Sequence, residues 1–307
     1  MRRHALRVFL PVALVMAAGP QLHAQDDGWG RVLPARSWFR PPVADPLEPH
    51  FGVSLLKTDL LSRRGPERPV WELPDPDDAA SDVVAAVALG ITFPIVSLAE
   101  WERGGLVLTG HAGVNARFRI EYPSRDDMGQ DWVVGGGVAA AWDEITGRLR
   151  IHHRSSHLGD EFMVVTGLAG DAAQRIEFGG EAVEATAAYT WDGLRFYGGG
   201  SWIFHSNTGA ETILAVWGRD DRYTVQLGAD GEWFPLAGGR VGFNGGVDWQ
   251  AAQRTNWRGA LALAAGVHAR NASMLGFTVR WFTGPSTMGE FFLTDETYIA
   301  LELTGRF

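Results

Sequence analysis

The sequence predicts an all-β fold, a transmembrane antiparallel up-and-down β-barrel with about twelve strands. Apolar and polar residues alternate in segments of roughly ten residues, the length that a tilted strand needs to cross a bilayer. The connections between these segments are alternately short and long, as in barrels that have short periplasmic turns and long outer loops. We therefore expect a barrel over residues 51–307.

The residues before the barrel predict export. Residues 1–24 have the three parts of a secretory signal peptide, a basic start, an apolar run and a cleavage site, at Arg2, Arg3 and Arg7, Val8–Gly19 and Leu22-His23-Ala24. Residues 25–50 contain several prolines, and we expect a mobile N-terminal periplasmic segment there. The expected location is the outer membrane of a Gram-negative-type bacterium, after cleavage of the signal peptide.

Composition narrows the class of protein. With 39 Gly, 13 Trp and 16 Phe against 21% charged residues, the chain suits short twisted strands with aromatic anchors better than a helical fold. The formal net charge of -9, without a long basic stretch, excludes nucleic-acid binding. The sequence has no cysteine, which excludes disulfides, cysteine-ligated metals and a lipoprotein anchor.

The predicted strands follow one another from residue 51 to the last residue. They cover residues 51–60, 82–93, 105–120, 131–142, 148–157, 179–191, 194–204, 222–234, 240–250, 257–269, 274–282 and 297–307. Tight connections are predicted at 143–147, 192–193, 235–239 and 270–273. Aromatic residues then lie at two levels, as in interfacial girdles: Trp142, Trp191, Trp233 and Phe234 at the periplasmic rim, and Trp202, Trp249 and Trp281 toward the outer rim.

Two other interpretations stay open at this stage. A soluble β-sandwich with an aromatic core would also show alternating strands. Val83–Ala99 is nearly all apolar and is long enough for the core of a transmembrane helix. Gly90, Thr92 and Pro94 interrupt it, which favours a strand that ends at Phe93 and a short connection after it.

The last strand and the inward faces support the barrel. Residues 299–307 alternate and end on Phe307, which resembles the terminal strand that the barrel assembly machinery reads, and implies that machinery as a partner during insertion. Charges of both signs share the predicted lumenal faces, and we expect them to pair and fill the lumen. They include His111, Arg117, Arg119, Arg195, Asp230, Asp248, Arg280 and Glu302. A path or pocket for a small solute is the alternative.

The segment from Arg148 to Glu161 carries the candidate chemistry. In a barrel, Leu149, Ile151, His153, Ser155 and His157 would face lipid, whereas Arg148, Arg150, His152, Arg154 and Ser156 would face the lumen. Polar residues also gather at the outer ends of two later strands, in residues 205–209 and 283–290, and we expect all three groups near the outer leaflet.

A serine nucleophile needs a base within hydrogen-bond reach and a third group that orients the base. We predict Ser155, His153 and Glu181 for these catalytic roles, although a purely structural role is the alternative. Asp160 and Glu161 follow the motif, and their oxygens could bind calcium or bridge divalent ions to lipopolysaccharide phosphates. The alternative for these two acids is a solvated loop.

Three segments together resemble a family of uncharacterised bacterial envelope proteins: residues 44–51, residues 284–292 and the motif H-R-S-S-H-L-G-D-E at residues 153–161. This resemblance implies a secreted, barrel-like envelope protein and no particular reaction. A local resemblance is to outer-membrane phospholipase A, a twelve-stranded barrel with a lipid-facing His-x-Ser pair, an orienting asparagine and assisting calcium. His153 and Ser155 match its pair by spacing and face, and Glu181 would take the place of the asparagine.

The predicted function is an integral outer-membrane barrel of unassigned activity with a polar His, Ser and acidic cluster at its outer rim. One alternative is a lipid-ester hydrolase, of the phospholipase or lipid A deacylase type, with lipid or lipopolysaccharide as its partner. The other is a small-solute or lipid-binding channel that uses the lumenal arginines.

Overall fold

The computed structural model is a closed barrel of twelve antiparallel strands, in which every strand pairs with its chain neighbours and β1 pairs with β12. It describes residue 32 and residues 37–60, 83–120, 127–165, 178–206, 222–270 and 274–306. The fold class and the strand number predicted from the sequence are confirmed. The predicted signal peptide, residues 1–24, lies outside the described residues.

The strands are β1 (Phe51–Thr58), β2 (Val83–Trp101), β3 (Gly104–Arg119), β4 (Asp127–Trp142), β5 (Ile145–Leu158), β6 (Phe178–Trp191), β7 (Leu194–Ser206), β8 (Tyr223–Leu236), β9 (Val241–Ala252), β10 (Gly259–Arg270), β11 (Met274–Pro285) and β12 (Asp295–Arg306). One short helix, α1 (Asp160–Val165), follows β5, and 3-10 turns lie at Gln253–Thr255 and Gly289–Phe291. In the part of the chain that the structure describes, no helix is long and apolar enough to span a membrane.

Short and long connections alternate around the barrel, which places the short turns at one rim. Two-residue turns join β4 to β5 and β6 to β7. Asp143, Asp192 and Gly193 have positive φ in these turns, the conformation that two-residue hairpins need and that Asp-Gly sequences favour. The longer connections lie at the other rim, which is the outer side in barrels of this class.

Strand β2 is longer than predicted. It does not end at Phe93 but runs on to Trp101, because the ladder with β3 absorbs Pro94 at an irregularity. The register shifts between Pro94 and Val96 and again between Ser97 and Ala99. Proline cannot donate to a ladder and is tolerated at such bulges. The helix interpretation of this segment is therefore wrong.

Side chains alternate between an apolar outer surface and a polar interior. Along β12, Leu301 is 50% exposed on the outside, whereas Ala300 and Glu302 are buried inside. Trp142 and Trp191, each 65% exposed, lie at the rim of short turns, and Trp202 and Trp249 are exposed toward the opposite rim. A soluble β-sandwich would bury its apolar side chains and expose its polar ones, whereas this barrel does the opposite. The β-sandwich interpretation is therefore wrong.

Residues 37–50, which we call the lumenal segment, lie inside the barrel. For residues 37–50 this differs from the expectation of a mobile periplasmic segment, and residues 25–31 and 33–36 of that prediction lie outside the described residues. The peptide NH of Val43 donates to the Asp230 carboxylate at 3.0 Å, and Arg280 donates to the carbonyl of Ala44 at 2.6 Å. Buried backbone polar groups need such partners, and here the barrel wall supplies them.

Three groups of charges attach the lumenal segment to the wall. Arg40 and Arg195 both bind Asp230; Glu48 binds Arg148 and Arg150, which also bind Glu184; and His50 binds Glu302, which also contacts Arg280. These contacts form the charge-paired, filled lumen that the sequence predicts.

Close approach of the lumenal segment also needs small residues on the wall. A Cβ at Gly90 would lie 3.0 Å from the backbone N of His50 and 3.0 Å from the Cα of Pro49. On the other side of the lumen, Phe39 packs against the guanidinium of Arg148, whose Cζ lies 4.7 Å from its ring centre. The lumen is therefore shaped to hold this segment.

Residues 286–294, which we call the inner loop, fold into the mouth of the barrel at the rim of long connections. Gly289 NH donates to Asp131, Glu290 NH donates to Ser156 Oγ at 3.1 Å, and Arg154 donates to the carbonyl of Thr287 at 2.5 Å. Part of the polar group at 283–290 is therefore buried in the barrel mouth and is not at the outer leaflet as expected. An apolar cluster fixes the loop, formed by Leu60, Val84, Met128, Phe162, Met288 and Phe291.

Candidate active site at the outer rim

The two faces of β5 carry different chemistry, as the sequence predicts. Leu149 and Ile151 are exposed on the lipid side, whereas Arg150 and Ser156 are buried on the lumenal side. His153, Ser155 and His157 continue the lipid-side row toward the rim of long connections. They stand where the acyl and ester parts of an outer-leaflet lipid could reach them.

Glu181 of β6 lies directly beside His153. The two residues are register partners in the β5–β6 ladder, and Nδ1 of His153 lies 2.9 Å from Oε1 of Glu181. The side chains are 39% and 31% exposed. A carboxylate on Nδ1 fixes the orientation of the ring and stabilises its charged form. The arrangement supplies the orienting contact that a catalytic histidine needs.

His205 of β7 binds the other oxygen of the same carboxylate. Its Nδ1 lies 2.5 Å from Oε2 of Glu181, and the two residues pair next to a register shift in the β6–β7 ladder. Glu181 thus joins two imidazoles on three adjacent strands. The sequence places His205 in a polar group but does not reveal this contact, because the contact depends on the register of β7. The rest of that group, residues 207–209, lies outside the described residues.

Ser155 lies two residues from His153 on the same face, and its partner in β4 is Trp132, whose side chain is exposed. Among the described residues, no hydrogen bond joins Ser155 to His153. Because Glu181 occupies Nδ1 of His153, the ring nitrogen left for a serine proton is Nε2. The structure thus fixes the ring of His153 and places Ser155 two residues away on the same face, without a contact between the two side chains.

Asp160 and Glu161, the predicted metal ligands, begin α1 and are exposed. In the described residues, no group of three or more His, Cys, Asp or Glu side chains is placed to hold a metal ion. Two carboxylates supply at most four oxygens, whereas calcium takes six to eight. These two residues therefore do not make a calcium site by themselves, and the calcium role stays a prediction.

The comparison with protein families identifies the chain. A family model described as "Protein of unknown function (DUF1207)" matches residues 76–307. The chain belongs to this family. No curated protein matches it. The DUF1207 match covers β2 to β12 and so includes every residue of the candidate site.

Solved structures share the fold of this DUF1207 chain. Outer membrane phospholipase A from Escherichia coli aligns with a TM-score of 0.55 and 8% identity, over 83% of this chain and 92% of that one. The outer membrane phospholipase dimer of Salmonella typhi, solved with bound calcium, aligns with a TM-score of 0.53 and 7% identity, over 85% and 93%. The chain is an outer-membrane β-barrel of unknown function, and at these identities the likeness shows the fold alone.

Proposed function

We propose that this protein is an outer-membrane lipid acyl hydrolase in which Ser155 is the nucleophile, His153 is the base and Glu181 orients the base. The observation that carries the proposal is the His153–Glu181 contact on the lipid side of the barrel, two residues from Ser155 on the same face of β5. A pair of side chains with only a structural role would be expected on the lumenal side of the barrel, where most of the other ion pairs of the strands lie. Ionisable groups on a lipid face are costly and therefore point to a function.

The proposed reaction has two halves. Ser155 Oγ attacks the ester carbonyl carbon while its proton moves to Nε2 of His153, and the imidazolium then gives that proton to the departing alcohol. In the second half, His153 takes a proton from water, the hydroxide attacks the acyl-serine, and Ser155 leaves with the proton as a free fatty acid forms. Glu181 holds the ring and balances its transient positive charge.

The fold comparison adds support at the level of analogy. The two solved barrels described above are named as outer membrane phospholipases, and one of them was solved as a dimer with bound calcium. We propose lipid or lipopolysaccharide as the substrate class, with calcium as an aid near Asp160 and Glu161. Because those two carboxylates are too few for a calcium site, no step above uses the ion.

The proposal also includes the route to the membrane. Residues 1–24 would direct export and be removed, and the barrel assembly machinery of a Gram-negative-type cell would insert the barrel by reading β12. A channel function is disfavoured, because the lumenal segment and the inner loop occupy the lumen.

The test is turnover of defined lipids. Purified protein in mixed micelles is incubated with phospholipid or lipid A, with calcium or with chelator, and released fatty acid is measured. Ser155→Ala and His153→Ala should each lower kcat by about 10⁴-fold or more, and Glu181→Gln by about 10²- to 10⁴-fold.

The matched control is Thr146→Ala, which removes a hydroxyl from the opposite end of β5 and should leave kcat unchanged. The proposal fails if the parent protein releases no fatty acid under any of the lipid and metal conditions. It also fails if Ser155→Ala keeps the activity of the parent.

A further inference from the structure

A cavity of about 190 Å³ lies in the lumen between the lumenal segment and the inner loop. Arg150, His152, Arg154 and Arg254 line it together with Ser286 and Thr287. A cavity of roughly 150 Å³ is large enough to bind benzene, so this one can take a small organic molecule. It lies inside the barrel, on the other face of β5 from Ser155.

Arg254 is a half-buried cation in the wall of this cavity. It lies in the 3-10 turn after β9, and its Cζ is 4.7 Å from the ring centre of Phe178 and 5.3 Å from that of Phe292. Among the described residues, no carboxylate and no hydrogen-bond acceptor contacts its guanidinium. Burial, and next the charge of Arg154, lower the pKa of Arg254 to about 10, although the charge of Asp131 acts in the opposite direction. A half-buried cation without a direct partner is costly, and the two aromatic rings offset only part of that cost.

Arg154 brings a second guanidinium to the same ring. Its Cζ lies 5.3 Å from the centre of Phe178, and its Nη2 binds Asp131 and the carbonyl of Thr287, both at 2.5 Å. The charge of Asp131 acts on both arginines, but this carboxylate binds Arg154 directly and also accepts the peptide NH of Gly289. Other acids line the cavity and have partners elsewhere in the wall, so none of them binds Arg254; they are Asp45, Glu184 and Asp248.

The other basic side chains of the wall are already engaged or enclosed. Arg150 binds Glu48 and Glu184, and Arg154 binds Asp131. Nδ1 of His152 has no hydrogen-bond partner, but it is buried away from the cavity. Arg254 is therefore the side chain of this wall whose donors best match the needs of an anion.

We infer that this cavity binds a small oxyanion, a phosphate or carboxylate group, between Arg254 and Arg154. The planar guanidinium presents a fork of donors that suits both groups, and a bound anion would supply the missing counter-charge. The phosphate could belong to a free solute or to a lipid headgroup that enters from the outer rim. The inference is independent of the proposed hydrolase, because none of its residues takes part in that reaction.

The experiment measures thermal unfolding and binding in detergent micelles. Inorganic phosphate is compared with chloride at equal ionic strength, and calorimetry gives the dissociation constant. Phosphate should raise the Tm of the parent protein and of Arg240→Gln, a control that removes an exposed arginine from the short turn before β9.

Arg254→Gln should fold with an unchanged or higher Tm in chloride, since it removes an unpaired charge. It should weaken phosphate binding at least about 10-fold, the loss expected for one charged hydrogen bond. A second arm uses dihexanoyl phosphatidic acid: a Tm rise with this lipid but not with inorganic phosphate would assign the site to a headgroup.

The inference is overturned if neither phosphate nor the lipid shifts the Tm of the parent beyond the chloride control. It is equally overturned if Arg254→Gln shows the same shifts as Arg240→Gln.

Discussion

Glu48 is one of the side chains that hold the lumenal segment inside the barrel. Burial raises the pKa of its carboxyl, but the guanidinium groups of Arg148 and Arg150 lower it more strongly, to about 2. The carboxylate is therefore ionised at neutral pH. It joins the lumenal segment to two arginines of β5, which also bind Glu184 of β6.

Replacing Glu48 by Gln should lower the free energy of unfolding by about 3 kcal/mol, because it leaves buried guanidinium charges without one of their two acids. Equilibrium unfolding in urea from lipid vesicles, followed by tryptophan fluorescence, measures this change. Glu102→Gln, in the exposed turn between β2 and β3, should stay within about 0.5 kcal/mol of the parent. Equal effects of the two substitutions would contradict the structural role of Glu48.

Part of the candidate site could be predicted at the level of single residues. The spacing of His153 and Ser155 fixes their common face. Glu181 is a reachable neighbour because it lies near the start of β6, which follows β5 after a long connection and pairs with it. The contact of His205 with Glu181 could not be predicted, because it depends on the register beside an irregularity in the β6–β7 ladder. Arg254 could not be identified from the sequence either, because the residues that surround its guanidinium come from distant segments. These are Phe178, Phe292 and Arg154.

At the scale of elements, the lumenal segment should respond to pH. The lowered pKa of Glu48 means that its stabilisation is complete above its ordinary value of 4.5 and is lost as pH falls toward about 2. Burial lowers the pKa of His50, but Glu302 raises it more, to a value above the ordinary 6.5. Its stabilisation is therefore complete below pH 6.5 and is lost as pH rises through the raised value.

Asp45 acts in the same direction as His50. Burial and the neighbouring Glu48 raise the pKa of Asp45 above 3.8, so its ionisation weakens the native state as pH rises. The lumenal segment should therefore be held most firmly near pH 4.5, where Glu48 is ionised, and less firmly as pH rises through the raised pKa values of Asp45 and His50. Hydrogen exchange of residues 37–50, corrected for the intrinsic rate at each pH, should show the highest protection near pH 4.5.

Amides of β10 serve as the reference in the same samples. Protection of residues 37–50 that changes with pH only as that of β10 does would contradict this account.

The strands could be predicted from the sequence and the lumenal segment could not, for physical reasons. Lipid on one side and polar groups on the other impose a period of two, which is visible in every strand. The lumenal segment has no such period, and its partners are remote in sequence, 181 residues away for Asp45 and Gln226 and 252 for His50 and Glu302. The position of the inner loop could not be predicted for the same reason, because its partners Asp131 and Ser156 are also remote in sequence.

At the scale of the whole molecule, the apolar outer band determines how substitutions act. Leu301 lies near the middle of β12 and Ile145 lies at the rim of short turns, and they are 50% and 58% exposed. Leu301→Arg should lower the free energy of unfolding in vesicles by about 2–4 kcal/mol, whereas Ile145→Arg should lower it by about 0–1 kcal/mol. Similar losses at both positions would argue against a membrane-embedded band at this height.

The proposed hydrolase site and the proposed anion site lie on opposite sides of the barrel wall, and β5 contributes residues to both. His153 faces outward toward Glu181, while Arg154, the next residue, faces inward toward Asp131. Substitutions on one side should therefore leave the other side intact, which allows lipid turnover and anion binding to be tested separately.

The enclosure of residues 37–50 also sets the order of events in assembly. Polar contacts from this short stretch reach β5, β7, β8, β9, β11 and β12. Because β11 and β12 are the last two strands of the barrel, the contacts of this stretch are complete only when these strands are in place beside β1. The filling of the lumen therefore ends together with the closure of the barrel.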